Sequence, residues 1–188
     1  MRWWLLLAGL LGTVPSTSGA QGRDGAERAY ARRIELVGDS ALIVADSMFW
    51  DNLDAIMSVL PGSQGPPRYA LDSASRVMEA ARHELLRRRA AFAAGGPPPA
   101  LRAVHAEMLA GIDTVSAGLD VAGRRIDRCR SVAAAACATS LLDGLELTAA
   151  GRGRYDAARG RAARLLAARS VILEPPIERP TVPALEPR

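Results

Sequence analysis

Apolar residues recur along most of this chain at steps of three and four positions, and strict apolar–polar alternation is almost absent. The first such run is Tyr30, Ile34, Val37, Ala41, Val44 and Met48. Because this spacing places side chains on one face of an α-helix, it predicts amphipathic helices and argues against a fold built on β-sheet.

Glycine and proline interrupt the apolar pattern and mark the ends of the predicted helices. Pro61-Gly62 closes the first run, and Gly95-Gly96 with three following prolines closes the second. Four long amphipathic helices with short connections are typical of an antiparallel up-down-up-down bundle. We therefore predict an all-α four-helix bundle over residues 21–173, with helices at about 26–60, 67–94, 98–130 and 132–172.

The first twenty residues resemble a secretory signal peptide. Arg2 precedes a short apolar core, and Ser18-Gly19-Ala20 supplies the small residues of a cleavage site. We expect cleavage after Ala20 and a periplasmic or secreted mature protein. No later segment is apolar over the roughly 20 residues that a membrane span needs, so no transmembrane segment is predicted.

The C-terminal segment, residues 174–188, is rich in proline. After Glu174 the chain reads PPIERPTVPALEPR, which predicts an extended or disordered tail.

The charge balance argues against a nucleic-acid partner. All 24 basic residues are arginine, and the formal net charge is +4. Removal of Arg2 with the signal peptide leaves the mature chain one charge less positive. That bias is small for a chain of this length, and an exported protein rarely meets nucleic acid.

Cys129 and Cys137, the only cysteines, stand near the predicted end of the third helix and start of the fourth. On one straight helix they would lie about 12 Å apart, too far for a disulfide. A chain reversal near Arg130-Ser131 would allow them to pair, as expected in an oxidising compartment. Two unpaired buried thiols are the alternative.

Such a bridge would set the register of the last two helices. It predicts four facing pairs: Leu101 with Leu165, Met108 with Ala158, Gly111 with Tyr155, and Val115 with Gly151.

The triplet Gly38-Asp39-Ser40 resembles the first sequence block of the GDSL (SGNH) hydrolases, in which the serine is the nucleophile. The resemblance implies an α/β sandwich and an Asp-x-x-His base near the C-terminus. Here the last histidine is His105, with Arg102 three positions before it, and the family's Gly-x-Asn-Asp block is missing. Because a serine without a base or oxyanion donors cannot be activated, we predict that Ser40 is not catalytic and that the protein is not an enzyme.

Arginine is concentrated on the fourth predicted helix. An exposed row of guanidinium groups can bind lipid head groups, acidic polymers or an acidic partner. A solvated face that reflects only an arginine-rich composition is the alternative. The candidate anion-binding residues are Arg152, Arg154, Arg159, Arg161 and Arg164.

His105 and Met108 lie three positions apart on one helix face and are weak candidates for a soft-metal or haem site. Methionine more often fills gaps in a core, and Cys-x-x-Cys-His is absent, so we predict no metal or cofactor.

Two functions follow from these patterns. The first is an exported, non-enzymatic bundle that binds or scaffolds an envelope partner or an anionic surface through its basic fourth helix. The alternative is a periplasmic ligand- or metal-binding bundle with a pocket near His105 and Met108.

Overall fold

A computed structural model describes residues 18–50, 68–129 and 134–176 of the chain, and side chains within 24–47, 72–129 and 142–176. Within these ranges all regular secondary structure is helical and no strand occurs, which confirms the predicted all-α class. The helices are α1 (Ser18–Arg33), a π-helical segment (Ile34–Asp39), α2 (Ser40–Trp50), α3 (Arg68–Ala94), α4 (Arg102–Arg128) and α5 (Ala134–Ala167).

The first rod, comprising α1, the π-helical segment and α2, is helical without a break from Ser18 to Trp50. A π-helical turn holds one residue more than an α-helical turn, so it rotates the side chains that follow it. Accordingly, the buried stripe after Ile34 runs through Leu42 and Ala45, whereas the predicted Val44 is only half buried. The predicted end of this helix, residues 51–60, lies outside the described residues.

The predicted boundaries of the other helices agree with the structure to within a few residues, except at the end of α5. Pro99–Leu101 form a 3₁₀ turn before α4, because proline tolerates the first turn of a helix. α5 ends at Ala167, five residues before the predicted 172. Ser170 has a left-handed φ of 59°, and Val171 donates its N–H to the carbonyl of Leu166, which together close α5 with a Schellman cap.

α4 and α5 pack closely in the predicted register. A methyl group at Gly111 would lie 2.8 Å from the backbone nitrogen of Tyr155, and one at Gly151 would lie 2.6 Å from that of Val115. Both facing pairs are therefore confirmed. Glycine at positions 111 and 151 lets the backbones of α4 and α5 approach each other.

Two further pairs of helices are antiparallel. Arg33 of the first rod donates to the carbonyl of Gly95, just after α3, and Ser40 of the first rod accepts from Arg88 of α3. Residue numbers therefore rise along the first rod as they fall along α3. Arg89 and Arg82 of α3 pair with Asp113 and Asp120 of α4 in the same descending order. The first rod and α3, and likewise α3 and α4, thus run antiparallel to each other.

A continuous apolar core fills the space between the helices. Its largest fully buried side chains come from the first rod, α3, α4 and α5, together with the turn before α4: Tyr30, Ile34, Leu42, Met78, Leu85, Phe92, Leu101, Met108, Ile112, Ile126 and Tyr155. Leu165, predicted to face Leu101, is 38% exposed, and Leu166 is buried instead. The predicted stripe at this end of α5 was therefore wrong by one position.

The chain after α5 turns back onto the first rod. Val171 and Leu173 are buried, and the backbone N–H of Glu174 donates to the carboxylate of Glu35 at 2.9 Å. Residues 171–176 are not helical, and the remainder of the predicted tail lies outside the described residues.

Cys129 is half buried just after α4 and carries no free thiol. The side chain of Cys137 lies outside the described side chains, so its pairing with Cys129 stays a prediction. Among the described residues, no helix combines the length and the apolar character needed to cross a membrane.

Candidate functional site

The Gly38-Asp39-Ser40 triplet lies where the π-helical segment meets α2, and it faces α3 and α5. Asp39 is 4% exposed, and both of its carboxylate oxygens accept hydrogen bonds from the Arg159 guanidinium at 2.7–2.9 Å. The hydroxyl of Tyr155 donates to the same carboxylate at 2.9 Å. Because a buried charge is costly unless it is paired, this arrangement stabilises Asp39 only while both partners remain in place.

Tyr155 and Gly38 fit against each other at this point. A methyl group on Gly38 would collide with the Tyr155 hydroxyl, so glycine allows the ring to reach Asp39. Burial of Tyr155, together with the negative charge of Asp39, raises the pKa of the phenol well above its ordinary value. The hydroxyl therefore stays protonated and remains a hydrogen-bond donor at physiological pH.

Ser40 lies inside a continuous helix and bonds to neighbouring groups of the scaffold. Its Oγ donates to the Leu36 carbonyl at 2.7 Å and accepts a bond from Arg88 Nη1 at 2.7 Å. Both described histidines have other contacts: His105 with Tyr30, and the exposed His83 with Glu79. A nucleophile elbow needs a strand leading into a sharp turn, and no such geometry occurs at Ser40.

Glu84 holds Arg88 in position for its hydrogen bond with Ser40. The carboxylate accepts hydrogen bonds from both Arg87 and Arg88 at 2.6–2.7 Å. The hydrogen bonds from these two guanidiniums lower the pKa of Glu84 to about 2. Glu84 therefore remains ionised across the physiological range and keeps Arg88 directed at Ser40.

The five candidate arginines of α5 do not form one exposed basic row. Arg159 is 6% exposed and bonds to Asp39, which corrects the expectation of a solvated side chain. Arg152 pairs with Asp46, and Arg161 pairs with Glu107. Arg154 and Arg164 are exposed.

These ion pairs join α5 to the first rod and to α4. Arg169, just past α5, pairs with the buried Glu27 of α1 at 2.5 Å, while Arg159 also donates to the carbonyl of Glu174 at 2.6 Å. The guanidinium groups of this region therefore hold helices and the returning C-terminal segment together, in addition to any role at the surface.

A cavity of about 390 Å³ opens between α2, α4 and α5, which is within the size range of small-molecule pockets. Its wall is mainly apolar and carries the Asp46–Arg152 pair and the exposed carboxylate of Asp156 at its edge. The remaining lining residues are Ala45, Leu119, Leu145, Thr148, Ala149 and Gly153.

His105 and Met108 lie in the core. His105 is 6% exposed, its Nδ1 lies 2.9 Å from the Tyr30 hydroxyl, and its ring centroid lies 4.6 Å from that of Phe92. Burial, with the nearby charges of Arg33 and Arg89, lowers the pKa of His105. Neither His105 nor Met108 lines the cavity between α2, α4 and α5, so that cavity is not the predicted pocket.

Metal ligands are not assembled in the part of the chain whose side chains are described. Within it, no group of three His, Cys, Asp or Glu side chains is placed to hold a metal ion.

The pairing of acidic residues on the first rod with arginines of α5 was not predicted, although the spacing of these residues in the sequence indicates it. Asp39 and Asp46 stand one heptad apart, and so do Arg152 and Arg159. On antiparallel helices, equal spacings bring such residues into facing pairs. Arg159 also falls between Tyr155 and Ala162 on the buried stripe of α5, which marks it as an inward-facing residue.

Comparisons with protein-family models, with curated proteins and with solved structures found no match for this chain.

Proposed function

We propose that this protein is an exported, non-enzymatic four-helix bundle that binds a small amphipathic molecule in the cavity between α2, α4 and α5. The observation that carries the proposal is the cavity itself, about 390 Å³ with a mainly apolar wall. Ligand pockets typically combine such walls with a few polar groups that orient the ligand, a role that Asp46, Arg152 and Asp156 are placed to fill.

The site of this proposal differs from the pocket predicted beside His105 and Met108. Tyr30 and Phe92 contact His105 directly, and Met108 is fully buried in the core. A ligand at that place would have to displace well-packed side chains, whereas the cavity beside Arg152 is already open.

Binding of the neutral fluorescent probe N-phenyl-1-naphthylamine tests the proposal. We expect saturable fluorescence enhancement at one site of the intact protein. Ala149→Trp should abolish it by filling the cavity, because Ala149 lines the cavity from an exposed position on α5. The matched control is Ala150→Trp, also exposed and next along α5 but not in the lining. Enhancement that does not saturate, or that both variants retain, would contradict the proposal.

A periplasmic or secreted location is part of the proposal, and the resemblance of residues 1–20 to a secretory signal peptide supports it. Fractionation of the producing cell with an antibody tests this, together with the mass of the mature N-terminus, which should begin at Gln21. A cytoplasmic protein with residues 1–20 intact would contradict it.

A contact with an anionic envelope surface or an acidic partner is a second proposal, favoured by the exposed Arg154 and Arg164 of α5. Since salt screens contacts between exposed charges, capture of the partner should be lost at about 0.5 M salt. Arg154→Gln with Arg164→Gln should weaken the capture at low salt. Capture that resists both treatments would exclude an arginine-driven contact.

A further inference from the structure

The polar side chains that line the cavity already have partners within the protein. Asp46 of α2 forms an ion pair with Arg152 of α5, and the two side chains expose only 18% and 28% of their surfaces. Asp156 also has an interaction within the protein, and the hydroxyl of Thr148 donates to the carbonyl of Gly144 at 2.9 Å. A ligand that enters the cavity therefore meets polar groups that are already engaged.

The Asp46–Arg152 pair puts charged head groups of either sign at a disadvantage. An ion loses hydration when it enters a cavity, and an available opposite charge is needed to offset that loss. A carboxylate could bind Arg152 only in competition with Asp46, and an ammonium group could bind Asp46 only in competition with Arg152. A neutral hydroxyl group avoids this competition, because guanidinium and carboxylate groups each have several hydrogen-bonding positions and can bond to it while they remain paired.

The apolar side chains of the lining supply the surface for the rest of the ligand. Ala45 of α2 and Leu119 of α4 are buried, and Leu145 of α5 is half buried. An alkyl or aryl group that packs against them leaves water, which is favourable in proportion to the apolar area removed from it. The apolar body of a ligand therefore provides most of the affinity, and its polar end mainly has to avoid a penalty.

We propose that the cavity selects uncharged amphipathic molecules over carboxylates and organic ammonium ions. Such molecules have an alkyl or aryl body and a neutral polar end, for example a hydroxyl group. The body would lie against Ala45, Leu119 and Leu145, and the polar end beside the Asp46–Arg152 pair. This inference rests on the proposed function, because it concerns the ligand class of the same cavity.

Displacement of N-phenyl-1-naphthylamine by ligands of matched chain length tests this selectivity. The three competitors are 1-octanol, octanoate and octyltrimethylammonium, at neutral pH and each below the concentration at which it forms micelles or separates. We expect 1-octanol to displace the probe at a concentration at least about tenfold lower than either ion, since loss of hydration without an available counter-charge costs an ion at least this factor. A smaller difference from either ion would overturn the inference.

Neutral variants of the ion pair locate the effect. Asp46→Asn removes the carboxylate charge that competes for Arg152, so octanoate should gain at least about threefold relative to 1-octanol. Arg152→Gln should give octyltrimethylammonium a gain of the same kind. The matched control is Asp143→Asn, an exposed carboxylate of α5 outside the cavity, which should leave both ratios unchanged. Unchanged ratios in the folded pair variants, or an equal gain in the control, would overturn the inference.

Asp156→Asn provides a test that does not depend on the folding of the pair variants. Asp156 is exposed, so this variant is expected to fold, as thermal unfolding would verify. The ratio of octyltrimethylammonium to 1-octanol should stay as it is in the parent protein, because this carboxylate already has an interaction of its own. A cation that weakens about tenfold in Asp156→Asn would show that Asp156 receives the ammonium group, and it would overturn the inference.

The two proposals fail in different ways. If the neutral probe itself does not bind, the cavity is not a ligand site and both proposals are wrong. If the probe binds and the ions displace it as readily as 1-octanol does, only the selectivity for uncharged ligands is wrong.

Discussion

At the scale of single residues, Asp39 is the point at which the first rod and α5 depend most on each other. Its carboxylate accepts from Arg159 and Tyr155, all three side chains are buried, and Arg159 continues to the Glu174 carbonyl. Among the described side chains, the hydroxyl of the neighbouring Ser40 makes one hydrogen bond across the helices, with Arg88. Removal of the Asp39 carboxylate would thus leave the buried Arg159 and Tyr155 without their acceptor, whereas removal of the adjacent Ser40 hydroxyl would take only one hydrogen bond from Arg88.

We expect Asp39→Ala to lower the free energy of unfolding by about 3–5 kcal/mol, because it leaves a buried guanidinium without its carboxylate. Ser40→Ala should cost about 1 kcal/mol, the usual value for one hydrogen bond. Urea denaturation of both variants measures the difference. A loss for Asp39→Ala no larger than that for Ser40→Ala would show that the buried pair is not formed.

Esterase activity toward p-nitrophenyl acetate provides a separate check on Ser40. Any slow hydrolysis by the protein should be the same in Ser40→Ala. An activity that disappears with the hydroxyl would restore Ser40 as a nucleophile.

His105 should make the stability depend on pH. Its pKa is lowered by burial, so below about pH 6.5 the unfolded chain takes up a proton that the folded chain resists. The contribution of neutral His105 to the free energy of unfolding is therefore fully present above pH 6.5 and is lost as the pH falls from there through the lowered pKa of His105.

Urea denaturation between pH 7.5 and pH 5 measures this loss. Carboxylates also titrate at the acid end, so the informative quantity is the difference between the parent protein and His105→Gln, whose stability should change less. His83→Gln is the matched control, since His83 is exposed and its removal should leave the pH dependence unaltered. An identical pH dependence in the parent and His105→Gln would contradict the prediction.

At the scale of the helices, glycine determines how closely α4 and α5 approach. A methyl group at Gly118 would lie 2.6 Å from the backbone nitrogen of Thr148 and 2.7 Å from the carbonyl oxygen of Gly144. Neither backbone atom can move without shifting its helix. Gly153, by contrast, has no neighbouring atom within 4 Å of such a methyl group.

Alanine at these two glycines should therefore act in opposite directions. We expect Gly118→Ala to destabilise the protein by about 1–3 kcal/mol through overpacking, and Gly153→Ala to stabilise it by up to about 1 kcal/mol through helix propensity. Thermal or urea unfolding gives both signs. Stabilisation by Gly118→Ala would mean that α4 and α5 lie farther apart than described.

The helices also show what could be predicted from the sequence. The facing of Gly111 with Tyr155 and of Val115 with Gly151 followed from the positions of the two cysteines, since a hairpin between them allows few registers. The burial of Leu42 and Ala45 in place of Val44 could not be predicted. A π-helical turn rotates the side chains that follow it, and the periodicity of the sequence does not mark where such a turn occurs.

The candidate site was less predictable than the fold. Composition shows many arginines on α5, but burial of Arg159 depends on the presence of Asp39 on another helix, 120 positions away in the chain. The cavity likewise arises from three helices meeting at small residues such as Ala45, Ala149 and Gly153, and no single stretch of sequence contains it. Local patterns predict elements, whereas sites depend on how the elements meet.

At the scale of the whole molecule, the described helices form one packed unit that is closed on one side by the returning C-terminal segment. Glu27, Asp39 and Asp46 of the first rod each pair with an arginine of α5 or of the turn after it. These pairs and the apolar core hold the walls of the cavity in place. A binding site on such a scaffold needs little rearrangement, which favours affinity because the cost of ordering the site is already met.

The position of the bound ligand is the most direct test of this account. In a methyl-labelled NMR titration with N-phenyl-1-naphthylamine, we predict saturable shifts of the Leu119 and Leu145 methyl signals, which line the cavity. The methyl signals of Leu101, buried away from the lining, should stay in place. Shifts confined to exposed residues such as Leu36 and Ile172, with Leu119 and Leu145 unchanged, would contradict the proposed function.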